Sequence, residues 1–342
     1  MLPNEKRAEM NAPEPVTNAK RPAGWFPVRR LQNLGPVAIL VLLCLIFEIT
    51  HSDFLSIPNL ATILETAAIP LILSTGLTFV ILLGAIDLSL EGIMATSSMV
   101  LALSVANNVN TNNWGVFGLI AAVLVGAVFG ILNGVLNAYF KMPSLIVTLG
   151  TWFIGLGVAA VLFPDRPPMI REQIVNQLTG RIFGLSVIVY LALFAVMVAY
   201  FVLRYTNVGR MIYAIGGDER VALASGVPVQ RYKIAAFFVS GVLAALCGTL
   251  LSAQLSNGNP AIGDGMLFPA ISGAVLGGTL LSGGHGGVLQ SAVGVLILEV
   301  LTIGLIQSGA NPYTQTLIQG CVIILAVTLS TWHQRRKLRI IK

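Results

Sequence analysis

Apolar stretches of about membrane-spanning length follow one another along almost the whole of this 342-residue chain, and that recurrence dictates its solvent. A bilayer core of about 30 Å takes roughly 20 mostly apolar residues per helix. Between polar, Gly or Pro breaks, the runs fall at 34–51, 59–83, 90–107, 114–139, 144–163, 184–203, 231–254, 265–281, 288–307 and 313–332. Only 10% of the residues are charged. Soluble domains carry about 25%, so this chain lacks the charge to cover a water-facing surface. A soluble single-domain enzyme, a disordered chain and a disulfide-stapled secreted domain are excluded. The expected fold is all-α and polytopic, with about ten transmembrane helices. Pro70 and Pro269 interrupt the second and eighth runs, which makes kinked or re-entrant segments of them, since proline removes one backbone hydrogen bond.

Lysine and arginine set the orientation. With the N-terminus inside, seventeen of the twenty fall on the cytoplasmic side and only Arg166, Arg171 and Arg181 on the other. Both termini are therefore expected in the cytoplasm, and the net charge of +6 is a topology signal that requires no nucleic-acid partner. Residues 1–33 are polar and carry Pro3, Pro13, Pro15, Pro22 and Pro27. They read as a flexible cytoplasmic tail. The transmembrane domain spans 34–332, and 333–342 form a basic cytoplasmic tail. No cleavable signal peptide precedes the first run, which reads as an uncleaved anchor.

Small residues let membrane helices pack closely. Gly126, Gly130 and Gly134 share one face of the fourth run, and Gly273 and Gly277 repeat the spacing in the eighth. Packing within one subunit is the first expectation, a dimer face the alternative. The segments 83–89 and 276–282 both read L-G-x-x-x-L-S. That is either a chance echo or a trace of an internal repeat.

Ionisable groups inside the membrane are costly and mark function when present. Glu48 and Glu65 lie near the outer ends of their runs and reach the interface. Glu299, near the middle of the ninth run, makes a hydrogen bond to a neighbouring helix or meets the solute. Asp87, Ser89 and Glu91 cluster where one run ends and the next begins. Asp87 or Ser89 can cap the new helix, and Glu91 suits the positive end of its dipole. A gating role is the further candidate. Ser282–Gly287 (SGGHGG) reads as a tight turn with His285 in solvent. The chain contains no P-loop, H-E-x-x-H or G-x-S-x-G pattern, and Cys44, Cys247 and Cys321 have no metal-ligand spacing. No catalytic function and no cofactor are expected. The loop 204–233 is the longest soluble stretch between runs. Asp218, Glu219 and Arg220 open a short helix, roughly 217–225, and Gly226 closes it. Such a capped helix, with small Ala222 and Ala224 allowing close approach, is either a docking element or a plain connector.

Four segments, in this order and spacing, resemble the permease subunit of bacterial sugar-type ABC importers, the ribose/xylose/arabinose permease group. They are Gly84–Ser89 (GAIDLS), Leu145–Thr151 (LIVTLGT), Gly209–Gly217 (GRMIYAIGG) continuing to Ser225, Gly226 and Val227, and Gly277–Gly284 (GGTLLSGG). The resemblance covers nearly all of the chain from about residue 34. It implies a multi-pass protein of the bacterial inner membrane, a permease dimer of identical or paralogous copies, an ATPase partner that binds the ATP and Mg, and a periplasmic sugar-binding protein. The loop from Gly209 and Arg210 through Gly216 and Gly217 to Gly226 resembles the family's ATPase-coupling loop. Thr148 and Thr151 join Asp87, Ser89, Glu91 and Glu299 as candidate pathway or gating residues. Where the family usually reads V-G-S after I-D-L-S, this chain has Leu90, Glu91 and Gly92. Nucleoside-type permeases often carry Glu-Gly there, so a pentose or hexose is the expected solute and a nucleoside the rival. A self-sufficient channel or secondary carrier is the competing class.

Overall fold

The computed structural model describes residues 27–338; the tail before residue 27 and the last four residues lie outside the described part of the chain. In chain order the helices are α1 Pro27–Thr50, α2 Ile57–Leu82, α3 Leu90–Ser104, α4 Val116–Ala138, α5 Ser144–Leu162, α6 Gln173–Gln177, α7 Val187–Tyr205, α8 Asn207–Gly217, α9 Glu219–Ala224, α10 Val229–Leu255, α11 Leu267–Leu276, α12 Val288–Gln307 and α13 Pro312–Leu338. The expected basic tail from 333 is still helical as far as Leu338. The described residues are helical except for loops and one small antiparallel ribbon, β1 Arg181–Ile182 with β2 Leu185–Ser186, which apolar runs alone do not announce.

Six helices are long and apolar enough to cross a membrane: α2, α4, α5, α7, α10 and α12. Two expected spans are shorter than the sequence suggests. The run 90–107 yields a 15-residue helix and 265–281 one of only 10 residues. In the second case glycine sets both limits, since Gly265 and Gly278 take φ of 78° and 104°, a left-handed backbone that favours glycine. Pro269 is the third residue of α11, where its missing N–H costs no helical bond. Pro70, by contrast, lies inside a helix that runs unbroken from Ile57 to Leu82.

α2 is the axis of the bundle. Every residue from Ala67 to Leu82 is buried, as befits a helix apolar on all sides. α10 packs along α4, α3 and α2, α3 against α5, and α12 against α2 and α11. The exposed positions on α4 and α5, and on α7 before Arg204, are apolar or glycine, a surface suited to lipid.

Both L-G-x-x-x-L-S segments lie at the end of a helix. α2 ends with Gly84 N–H donating to Ile81 O and Ala85 N–H to Val80 O. α11 ends with Gly278 bonding to Val275 O and Thr279 to Ala274 O. These are Schellman closures. α9 ends the same way at Gly226 and α12 at Gly309. The two closures align Gly84 with Gly278, one residue away from the register of the sequence echo. Gly277, which the echo pairs with Gly84, stays right-handed at φ −66°, so the echo does not pair structurally equivalent residues.

Candidate functional site

The loop between α2 and α3 carries a carboxylate into the bundle. Asp87 is fully buried, and both its oxygens are occupied. Ser89 donates to Oδ1 through its hydroxyl at 2.5 Å and its amide at 3.0 Å, and Ser240 on α10 donates to Oδ2 at 2.8 Å. Asn133 on α4 passes the network on, with Nδ2 donating to Ser89 Oγ at 2.9 Å and Oδ1 accepting from Thr151 on α5 at 2.8 Å. Thr148 reaches the carbonyl of Ile86 at 3.3 Å. One polar knot thus joins the 83–89 loop to α4, α5 and α10. The capping expectation for Asp87 and Ser89 fails, because neither side chain bonds the free amides of α3. Sequence reading grouped Asp87, Ser89 and Thr151 but missed Asn133 and Ser240. A signal existed: Asn133 lies three residues after Gly130, on the face of the glycine stripe.

Glu91 belongs elsewhere. Its carboxylate crosses to α11 and accepts the Leu267 amide at 3.0 Å. It therefore caps the short helix α11 from a distance, serving that helix's positive end and not its own. Gly92 has an equally structural duty. A Cβ there would overlap the carbonyl of Trp152 and lie 3.0 Å from its Cα, so the residue lets α3 and α5 touch.

The glycine stripe of α4 lies on α10. A Cβ at Gly126 would overlap the carbonyl of Gly241, one at Gly130 that of Phe237, and one at Gly134 would lie 2.6 Å from the Cα of Ile234. Gly273 and Gly277 abut α12 at Val295 and Gln290. All five contacts are within this chain.

The 204–233 segment forms two helices, where sequence reading expected one. Gly217 ends α8, and Asp218 starts α9, accepting the Arg220 and Val221 amides at 2.9 and 3.1 Å. Glu219 pairs with Lys233 at 2.8 Å. Ala222 does not face outward. It is buried because it lies on the inner side of α9, as Gly209 does on α8 against the backbone of Leu203. Of the residues singled out from the sequence, Arg210, Gly217, Asp218, Arg220, Ala224, Ser225 and Gly226 are exposed, and so are Val221 and Leu223. Gly216 meets the carbonyl of Leu82 and the amide of Gly284. Tyr213 donates its hydroxyl to Gly286 O at 2.8 Å. Burial raises that phenol's pKa, an effect the Arg204 charge partly offsets, so it stays a proton donor at neutral pH. α8 is thereby seated on the glycine-rich turn, while His285 itself is exposed.

Glu48 accepts the Leu55 amide at 2.7 Å, and Glu65 pairs with Arg181 at 3.0 Å. Glu299 is half-buried and meets the side chain of Thr66 on α2.

The family of branched-chain amino acid transport system / permease components matches residues 59–327. The ribose import permease protein RbsC of Bacillus subtilis (strain 168) is 36% identical over 303 residues, 87% of this chain and 92% of that protein. Its counterpart in Escherichia coli (strain K12) is 33% identical, over 89% of this chain and 95% of its own length. The L-arabinose ABC transporter permease protein AraH of Azospirillum brasilense is 31% identical, over 91% of each. No solved structure matches the chain.

Proposed function

Because the chain belongs to the family of branched-chain amino acid transport system permease components, we propose that it is the membrane-spanning subunit of an ABC importer for a monosaccharide. The observation that carries the solute class is the near full-length match to permeases named for ribose and L-arabinose. The Glu-Gly pair that raised the nucleoside reading has another cause here, since Glu91 caps α11 and Gly92 admits α5. It carries no weight for a nucleoside.

In this reading the chain crosses the inner membrane of a bacterium ten times, the eighth crossing made by the short α11 together with the non-helical chain that flanks it, and both termini are cytoplasmic, in line with the seventeen-to-three distribution of Lys and Arg. The chain has no nucleotide motif, so the energy arrives by contact. An ATPase partner binds ATP and Mg and docks on α8 and α9. A periplasmic binding protein delivers the sugar, and a second permease copy completes the pathway. The seat of α8 on Leu82 and Gly284 supports the coupling role, because a push on α8 meets the backbone that carries Asp87 into the bundle. The test is reconstitution of the chain with its ATPase and binding protein in liposomes. ATP-dependent uptake of labelled ribose or arabinose, with none of leucine or a nucleoside, is the expected result. Uptake of a nucleoside or leucine alone overturns the sugar assignment.

A further inference from the structure

Glu299 sits inside a span with no cation near it: among the described residues the ion pairs are Arg181–Glu65 and Lys233–Glu219. Around it other polar side chains share the same depth. Thr62 and Thr66 on α2 are both exposed. Thr302 lies one turn beyond Glu299 on α12, and Gln319 on α13 donates to its hydroxyl at 2.9 Å. Thr66, Glu299 and Gln319 each lie about 10–14 Å along their helices from the end expected outside, at 1.5 Å per residue. Pro70 adds one more polar group, because it has no N–H to give to the Thr66 carbonyl four residues earlier. Above this band the outer ends of α2 and α12 are fastened together, Gln307 donating to Asn59 at 2.8 Å.

Lipid cannot solvate such a surface. A half-buried carboxylate with no counter-ion is costly against hydrocarbon, and beside it the hydroxyl oxygens of Thr62, Thr66 and Thr302, whose protons go to carbonyls one turn back, keep lone pairs to offer. Elsewhere the molecule obeys that rule, with Val128, Phe153, Val161, Met197 and Phe201 facing outward on α4, α5 and α7. The α2–α12–α13 face departs from it in the outer half of the membrane.

Resting on the permease reading above, we propose that Glu299, with Thr62, Thr66, Thr302 and Gln319, lines a water-filled part of the solute pathway and accepts hydrogen bonds from the hydroxyls of a neutral polyhydroxylated solute. The carboxylate offers two acceptor oxygens, the threonine oxygens accept as well, and Gln319 can donate or accept, a set that matches vicinal hydroxyls. It repels anions, so phosphorylated sugars are excluded.

The test uses the full transporter in sealed vesicles, with the native cysteines replaced. Single cysteines are placed at Thr62, Thr66 and, as the lipid-facing control at the depth of Thr66, Phe153. A thiolate forms only where water reaches it. A membrane-impermeant methanethiosulfonate reagent added outside should modify positions 62 and 66 and leave 153 untouched. Equal inertness at all three overturns the aqueous face, and spontaneous disulfide cross-linking of Thr66→Cys between two copies, without reagent labelling, overturns it in favour of a dimer seam. Glu299→Gln keeps an acceptor and the shape but gives up the charge, and should transport the sugar at a rate between those of the wild type and Glu299→Leu. Glu299→Leu should fall about tenfold or more, the scale of a lost charge-assisted hydrogen bond. Wild-type rates for Glu299→Leu overturn the solute contact. Labelling is read independently of transport: a wild type that takes up no sugar, with single-cysteine variants that label at 62 and 66, refutes the sugar assignment and leaves the pathway standing.

Discussion

The amide of Gly284 donates to the carbonyl of Leu82 at 2.9 Å, and Gly216 of the cytoplasmic segment packs against both groups. Three chain regions nearly 70 or more residues apart in sequence thus meet at backbone level, with no side chain between them. The contact joins the segment expected to receive an external partner to the end of the most buried helix.

Replacing Gly216 by Val should therefore lower the unfolding temperature in detergent, since overpacking costs about 1–3 kcal/mol. Gly217→Ala is the matched control, as nothing lies within 4 Å of its Cβ position. Equal melting of the two variants would remove the junction from the account.

Gly130→Leu should reduce folded yield sharply, because its Cβ would overlap the Phe237 carbonyl on α10. Val128→Leu, at a position facing outward, should be nearly silent. Size-exclusion profiles of the two proteins compare them directly.

Ser240→Ala leaves Asp87 Oδ2 without its donor, and an unmet buried acceptor costs about 1–3 kcal/mol. Asp87→Asn should not rescue it fully: its amide oxygen still accepts from Ser89, but the NH2 in place of Oδ2 is a buried donor with no acceptor at position 240. Thermal denaturation of the single and double variants gives the coupling. Additive losses would mean that the two residues do not act as one network.

Glu219→Arg breaks the pair with Lys233 and Leu223→Asp places charge in the exposed apolar part of α9. Both variants should fold, since a surface pair is worth at most about 1 kcal/mol. Both should lose ATPase in pull-down and lose sugar uptake. Retention of the ATPase at wild-type level by both would locate the docking surface elsewhere.

Single cysteines at Asn110 and Gln173 should react with an impermeant thiol reagent from outside, and one at Asp218 should not. Labelling of position 218 from outside would invert the orientation.

The sequence by itself settled the solvent and the class of architecture. Long apolar runs can only satisfy their backbone in lipid as helices, and each of the ten runs contains one. It also determined which face of α4 is approached closely, because glycines four apart share one side of any helix. The helix stop at Gly226 was legible for a similar reason, being a local backbone requirement of nearby residues. What only the tertiary structure decided is where polar groups spend their hydrogen bonds. Glu91 looks like the first-turn acid of its own helix, yet it caps α11, 176 residues further along the chain. Asn133 and Ser240 look like incidental polar residues in apolar runs until the bundle carries them to Ser89 and Asp87. Ala222 looks like part of an outward surface until α9 turns it inward. Helical periodicity is local and survives in the sequence. The partner of a buried donor or acceptor depends on which helices become neighbours, and that is fixed only when the bundle closes.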